Sequence, residues 1–507
     1  MSPNLKGLKG GLNRIQPGLG IGFIAAVLRR EGYQVFIRDT ALEGWNNQRL
    51  LSDENTVLIG ETDEQIVKYL QEIRPDVVGI SITFSNLADS ARNLARIVKS
   101  VNPDTYVVIG GNHVTNAIKD YCYAQVNGLE KTLLGTLFVR DIFDENIDYA
   151  LFGEGDYEFP KLLDCLINSK DIKQVSNLAY RNIESEIIFN SYPLTRETKR
   201  VDLNDLPSPA WDLFNMNKYF EIGAFHSPRT NAKKILPIMA TRGCPEQCAF
   251  CTTPDTWGQA VRWRKPEDIR KEIDEAIKHF GGIDEIQFVD DNLTANIKRL
   301  YELCGILGNI GVPWCTPNGI KANYHINKQS DYFKRMQEAG CYQVTIACET
   351  GNQRVMVNII GKNLKLHEAA KAVENAKNAG LFVHTFWIVG FPGETRDEME
   401  KSMAFAASIG ADSYSVSILL PLPGTKIYRK AIEENLFWPE IKDLENMTLR
   451  TSLLKADGFK SPHEFKQWVD RQNYHLNELL SKREPQRFLE YERSRDPKFM
   501  GMNMKQT

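Results

Sequence analysis

Thr241-Arg242-Gly243-Cys244-Pro245-Glu246-Gln247-Cys248-Ala249-Phe250-Cys251 places three cysteines in eight residues, directly after a hydrophobic run. The CxxxCxxC spacing offers three thiolates, and soft thiolate sulfur suits iron–sulfur chemistry. Clusters of this kind are ordinarily held by four cysteines. A cubane held by three leaves one iron open to a substrate or cofactor. Structural zinc is the competing metal reading, but it takes four closed ligands, usually as two Cys or Cys/His pairs, and no second pair stands nearby. Three unrelated free cysteines are the remaining alternative, a crowding that chance does not favour.

With aromatic Phe250 before its last cysteine, the stretch resembles the signature of radical S-adenosylmethionine (SAM) enzymes. The resemblance implies a 4Fe-4S cluster on Cys244, Cys248 and Cys251, with SAM chelating the unique iron through its amino and carboxylate groups. It also implies reductive cleavage of SAM to methionine and a 5'-deoxyadenosyl radical.

Downstream, a βα alternation runs from Ile235 to about Thr425. Strands are expected at Ile235–Ala240, Glu285–Val289, Trp314–Pro317, Gln343–Ala347, Val383–Val389 and Ser413–Leu420, separated by amphipathic runs such as Lys265–Phe280, Lys365–Ala379 and Arg396–Ile409. Six units are too few for a closed eightfold barrel. Polar and glycine-rich residues follow each strand, where a barrel places its site. Asp290 or Asp291 offers a carboxylate to the SAM ammonium; helix capping by Asp291 or Asn292 is the plainer reading. Asp290, Asp291 and Asn292 occupy the place of the family's Gly-Gly-Glu element, although that triplet is absent. Glu349 would accept from the ribose hydroxyls, and Gly390 and Gly393 would let backbone approach adenine. Arg242 and Lys321 are read as contacts to carboxylates or as structural charges.

Upstream, Tyr33–Arg38, Val77–Ile82, Tyr106–Gly110 and Tyr149–Phe152 read as buried parallel strands, with helical runs at Ile21–Glu31 and Ser90–Ser100. This is a doubly wound sheet, whose ligands lie beyond the carboxyl ends of its strands. Three loops sit there: Ser81-Ile82-Thr83-Phe84-Ser85-Asn86, Gly110-Gly111-Asn112-His113 and Gly153-Glu154-Gly155. Their residues suit an amide-rich ligand, and equally suit turns and caps. Together with Pro17-Gly18-Leu19-Gly20 and Pro75-Asp76-Val77-Val78-Gly79-Ile80-Ser81, they resemble the cobalamin-binding domain of cobalamin-dependent radical SAM proteins. Cobalamin is then expected on Ser81, Thr83, Phe84, Ser85, Asn86, Gly110, Gly111, Asn112, His113, Gly153, Glu154 and Gly155. The Asp-x-His-x-x-Gly motif is absent, so His113 is read as a loop residue. Thr83 or Phe84 is expected on the lower corrin face. Family members usually open with an apolar strand ending in Asn-Pro. This sequence starts at Met1-Ser2-Pro3-Asn4 without room for one, so either the start is assigned late or the sheet lacks a strand.

The expected fold is α/β: a Rossmann-like cobalamin-binding domain over 1–165, a connector over 166–231, a partial (β/α)6 radical SAM barrel over 232–425, and a small helical region over 426–507. The connector includes loops at Leu203–Trp211 and Ser227–Lys234. The last region has helices at Lys426–Asn435 and Glu464–Lys482, is expected to cover the barrel mouth, and ends in a disordered tail.

The 507 residues are 42% hydrophobic and 25% charged, with net charge −3, as in ordinary globular proteins of two or three domains. That charge favours neither nucleic acid nor an anionic membrane. No apolar run reaches spanning length, and the first residues lack the core of a secretion signal. Nine scattered cysteines form no disulfide framework, which fits a reducing cytoplasm.

The combined resemblance, nearly chain-long, is to the cobalamin-dependent radical SAM methyltransferases. Within that family it runs closest to the branch methylating a cytidylylated hydroxyethylphosphonate in fosfomycin biosynthesis. Cys251-Thr252-Thr253, Trp257-Gly258-Gln259, Tyr219-Phe220-Glu221-Ile222 with Ser227-Pro228, and Pro313-Trp314-x-Thr316-Pro317-x-Gly319 carry that likeness. It implies methyl transfer from SAM, through methylcobalamin, to an unactivated carbon of a small antibiotic precursor, a nucleotidylated phosphonate being one candidate. An external electron donor such as flavodoxin or ferredoxin is implied as well. A non-methylating rearrangement, cyclisation or oxidation is the alternative.

Overall fold

A computed structural model describes residues 1–9, 13–51, 56–191, 200–223, 232–325, 331–441, 444, 447–448 and 451–486. In the N-terminal part, β1 (Leu5–Leu8), β2 (Gln48–Leu50) and β3 (Thr56–Ile59) form a small antiparallel sheet in the order β1-β3-β2. The main sheet pairs β4 (Val77–Ser81), β5 (Tyr106–Gly110) and β6 (Tyr149–Leu151) in parallel, then adds β7 (Leu178–Arg181) and β8 (Ile187–Phe189) antiparallel at one edge. Alternation along β5 explains the two layers of helices. Val107 and Ile109 enter one core with residues of helices Ala88–Val101 and Asn112–Asn127, while Val108 joins Leu162 and Cys165 of helix Gly155–Ile167 on the other face.

Three expectations need correction here. Tyr33–Arg38 is extended but forms no ladder. Between it and β4 lie only Met1 and Ser2: the Ser2 N–H donates to the Arg38 carbonyl (3.0 Å), and the Ser81 N–H donates to the Met1 carbonyl (3.0 Å). Two residues supply a single bridge, Ser2 with Asp39, instead of a strand. The Met1 ammonium donates to the Gly79 carbonyl, and burial lowers its pKa to about 6. Second, the expected connector is partly sheet, since its β7–β8 hairpin extends the first domain. Third, β1, β2 and β3 had no counterpart in the sequence reading.

In the second half, β9 (Ile235–Ile238) leads into a short antiparallel ladder of β10 (Thr241–Arg242) and β11 (Arg262–Trp263). Then come β12 (Glu285–Phe288), β13 (Trp314–Ile320), β14 (Cys341–Glu349), β15 (Phe382–Val389) and β16 (Ser413–Ile418). They form one parallel sheet in the order β9-β12-β13-β14-β15-β16. The strands are buried on both faces over most of their length. Intervening helices are stopped and started by local chemistry, as where Thr395 and Glu398 form a capping box at Arg396–Ser408. The two outer strands do not pair, so the barrel stays open.

That open edge is covered in an unexpected way. Helix Pro462–Arg483 lies along β16, and Asn473 accepts from the Val416 N–H (2.7 Å) and donates to its carbonyl (2.8 Å). Asn477, one turn later, does the same at Tyr414 (3.0 and 3.0 Å). Two side-chain amides thus replace a neighbouring strand. The C-terminal helix closes the barrel's side, and its Phe465 reaches the rim, against Gly390. Among the described residues no helix is long and apolar enough to cross a membrane. Most of the loop Ser227–Lys234, the Ser227-Pro228 pair and the basic tail lie outside the described residues.

Candidate active site at the domain junction

The cysteine loop follows β10 at the carboxyl end of the barrel. Cys244, Cys248 and Cys251 are half-buried and free of disulfides. Cys248, Ala249 and Phe250 pack against a small apolar cluster containing Val355, Ile360, Phe391 and Ile427, with the Phe250 and Phe391 rings 5.9 Å apart. Backbone bonds pin the loop on two sides: Ala249 N–H donates to the Ile360 carbonyl (2.8 Å), and Ile427 N–H to the Ala249 carbonyl (3.1 Å). Burial pushes the Cys248 thiol up to about 12 and raises those of Cys244 and Cys251. Such thiols lose their protons to a metal rather than to water. Among the described residues no three His, Cys, Asp or Glu are grouped so as to hold a single metal ion. A cubane spreads its irons over its corners, and the three-thiol donor set fits it.

Beside this loop, Asn292 donates to the Cys244 sulfur (3.6 Å) and to the Tyr324 hydroxyl (3.3 Å). Its Oδ1 is buried with no partner among the described residues, an acceptor that fits the ammonium group of SAM. Asp291 is exposed and accepts from Thr253 Oγ1 (3.0 Å). Asp290 departs from its expected role. It is buried and accepts from the Ala240 N–H (3.2 Å) and Thr241 Oγ1 (2.6 Å), so it steadies the chain entering the cysteine loop. Burial raises its pKa to about 7.

Glu349 ends β14 in a left-handed conformation (φ +64°), which is costly for a residue with a Cβ. One of its oxygens accepts from buried Lys362 (2.7 Å), whose ammonium also reaches the Ala347 carbonyl (2.8 Å). Gly390 takes φ +87°, and a Cβ there would stand 2.8 Å from the Phe465 ring. The close approach it permits is therefore that of the C-terminal helix. Gly393 faces open space. Glu394 closes this turn, accepting from the Gly390 (2.8 Å) and Phe391 (3.1 Å) N–H groups; burial raises its pKa to about 7.

The three loops of the first domain do converge. Ile82 N–H donates to the Gly110 carbonyl (2.8 Å), His113 N–H to the Ile82 carbonyl (3.1 Å), and Gly153 N–H to Thr115 Oγ1 (2.9 Å). Thr83 and Phe84 form the exposed crest, with Phe84 60% exposed; behind them Ser85 and Asn86 begin a short 3-10 turn. His113 is buried against Ser85 Oγ (2.8 Å), and burial lowers its pKa to about 4, so it is a neutral packing residue. Its Nε2 has no partner among the described residues. A large exposed apolar ring beside buried, unpaired polar atoms fits a corrin laid across these loops. Ser81 and Gly110 end their strands, and Gly155 opens helix Gly155–Ile167 beneath.

Glu154 is the clearest misreading in this group. Its carboxylate is buried between Arg242 (3.1 Å) and Arg262 (2.9 Å to each oxygen), and it also accepts from the Val201 N–H (3.1 Å). It therefore joins the two halves instead of facing a ligand. Asn112 works at the same junction, donating to Thr252 Oγ1 (3.2 Å), the residue after Cys251, and accepting from Thr256. Lys119 pairs with Asp255 (2.9 Å). Sequence reasoning missed Asp156, Arg262 and Lys362. Only the acidic pattern Gly-Glu-Gly-Asp hinted at any of them. Lys321, read as a carboxylate contact or a structural charge, does pair with Glu246 (2.6 Å), a partner the sequence reading did not name and to which Tyr324 also donates (3.0 Å).

Fold and site thus define a protein that sets three cysteine thiols against the loops of a doubly wound sheet. Residues 10–130 match the B12 binding domain model, and residues 238–406 match that of the radical SAM superfamily. The chain is 32% identical over 500 residues to the cytidylyl-2-hydroxyethylphosphonate methyltransferase of Streptomyces wedmorensis, covering 94% of this chain and 89% of the relative. It is 29% identical to an uncharacterized methyltransferase of Pyrococcus horikoshii, covering 86% and 83%. Among solved structures it is similar to TsrM from Kitasatospora setae, with cobalamin and a [4Fe-4S] cluster bound, at TM-score 0.62 and 14% identity (83% of this chain, 77% of that one). It is also similar to OxsB with aqua-cobalamin and S-adenosylmethionine bound, at TM-score 0.64 and 16% identity (94% and 69%). The chain belongs to the cobalamin-dependent radical SAM methyltransferases. Its cofactors are a [4Fe-4S] cluster, SAM and cobalamin.

Proposed function

We propose that the protein is a C-methyltransferase acting on an unactivated carbon of a small antibiotic precursor, with a nucleotidylated phosphonate as the first substrate to test. The observation that carries this reading is the Asn112–Thr252 bond, which sets a corrin loop against the residue following Cys251. When bound, the cluster and SAM supply a hydrogen-abstracting radical and the corrinoid supplies the methyl group.

Each part of the chain has a share in this. Cys244, Cys248 and Cys251 hold the cluster. Asn292 and Asp291 receive the SAM ammonium, Glu349 a ribose hydroxyl, and the Gly393 turn the adenine. Thr83 and Phe84 would hold the corrin, with Ser85, Gly111 and Asn112 beside them. Holding the reacting groups at fixed separation is the protein's own contribution. The chain draws electrons from a small flavodoxin- or ferredoxin-like protein in the cytoplasm. Whole-chain similarity to the Streptomyces wedmorensis phosphonate methyltransferase supports this substrate class.

Anaerobically reconstituted protein, given SAM, a reductant and cytidylyl-2-hydroxyethylphosphonate, should yield a product heavier by one methyl group together with S-adenosylhomocysteine. A product without methyl gain, formed with 5'-deoxyadenosine, would transfer the assignment to the non-methylating alternative. No turnover of this compound, with methylation of another precursor, would remove the phosphonate class alone.

A further inference from the structure

We propose that Arg242 is a positioning residue that sets the distance between the corrin platform and the cluster. It stands two residues before Cys244, is 1% exposed, and reaches across the domain junction. Its guanidinium donates to both oxygens of Asp156 (2.8 and 3.1 Å) and to Glu154 (3.1 Å). It also lies over two aromatic rings: Phe23 of the first domain at 5.2 Å and Trp257 of the segment after the cysteines at 4.7 Å.

Charge balance makes this a closed unit. Arg262, paired with Arg242 across the β10–β11 ladder, donates to both oxygens of Glu154, so two guanidinium groups face two carboxylates. Both carboxylates belong to Gly153-Glu154-Gly155-Asp156, one of the three corrin loops. Gly153 is tied through Thr115 to the Gly111 carbonyl, which carries the constraint into a second loop. A buried planar fork with two partners and two adjoining rings has one geometry, unlike a lysine in the same place. A rigid link from the corrin loops thus ends beside the first cluster cysteine. Arg242 itself is not among the residues assigned to either cofactor, so it acts through Glu154 and Asp156. The inference rests on the corrin lying across loops 83–86, 111–113 and 153–155.

Spin relaxation reads that spacing without a substrate. The protein is loaded with hydroxocobalamin and reconstituted with iron and sulfide. It is then reduced so that cobalt and cluster are both paramagnetic, and the relaxation of the cobalt signal is compared with that in samples whose cluster is left oxidised. The wild type should show enhanced relaxation from the nearby reduced cluster. Arg242→Lys keeps the charge and loses the fork. It should retain iron and corrinoid yet lose most of the enhancement or spread it over a range of values. Asp156→Glu, which keeps charge and lengthens one arm, should behave alike and decides the matter if Arg242→Lys does not accumulate. Unchanged relaxation per loaded molecule in whichever variant accumulates would overturn the proposal, even if stability falls. A wild type that binds no corrinoid would instead overturn the loop assignment on which it rests.

Discussion

Replacing Gly111 by alanine tests the corrin platform at its tightest point. Gly111 has φ +104° and ψ −178°, a region essentially confined to glycine. A Cβ built there lies 2.8 Å from the Ile82 carbonyl oxygen and 3.1 Å from its carbon and nitrogen. These are backbone atoms of the neighbouring loop, so neither partner can swing aside. The strained backbone costs about 1–3 kcal/mol. Moving loop 82–85 away weakens the His113-to-Ile82 and Ile82-to-Gly110 hydrogen bonds, each of about 1 kcal/mol. Gly111→Ala should therefore destabilise the first domain by roughly 2–4 kcal/mol, seen as a lower urea midpoint for its unfolding. It should also abolish hydroxocobalamin retention while iron and sulfide incorporation persist, because the cysteine loop rests on Ile360 and Ile427. A variant with wild-type midpoint and corrinoid content would refute the reasoning.

Three further outcomes follow from other parts of the molecule. Asn473→Ala leaves the Val416 N–H and carbonyl unpaired at the sheet edge and should cost about 1–3 kcal/mol in chemical denaturation, with cofactor content unchanged; a neutral result would mean that water replaces the amide. Asn292→Leu removes an N–H donor from the Cys244 sulfur, so the cluster's reduction potential should fall; an EPR-monitored titration checks this. Glu394 has its pKa raised by burial from 4.5 to about 7, so the folded state binds its proton more tightly than the unfolded chain does. Wild-type stability should drop relative to Glu394→Gln as pH rises from about 4.5 to 7, by on the order of 2–3 kcal/mol, and a constant difference in urea midpoint across that range would count against it.

The sequence made the barrel legible because short segments with apolar residues alternate regularly with amphipathic helices, and all six strands formed in the expected order. Val77, Tyr106 and Tyr149 likewise begin the parallel strands expected of them. Tyr33–Arg38 has the same apolar look, yet a strand also needs a hydrogen-bonding neighbour, and Met1 and Ser2 supply only one bridge. The β7–β8 hairpin was missed because its residues mix with charged turn residues such as Glu184 and Glu186. The site divides along similar lines. Three cysteines at fixed spacing announce themselves. Glu154 and Gly390, by contrast, look like ligand-loop residues, and only the fold reveals that Arg242 and Phe465 are what they meet. Asn473 and Asn477 on a polar helix carry no local sign that they finish a sheet.

The account's central claim is that Cys244, Cys248 and Cys251 hold the cluster while a separate platform holds the corrinoid. Iron, sulfide and corrinoid assays on anaerobically reconstituted wild type and Cys248→Ala test it most directly, with 5'-deoxyadenosine formation from SAM measured on the same samples. The wild type should carry cluster and corrinoid and form 5'-deoxyadenosine; Cys248→Ala should form none and keep its corrinoid. A Cys248→Ala protein that still cleaves SAM, or a wild type unable to retain either cofactor, would contradict it.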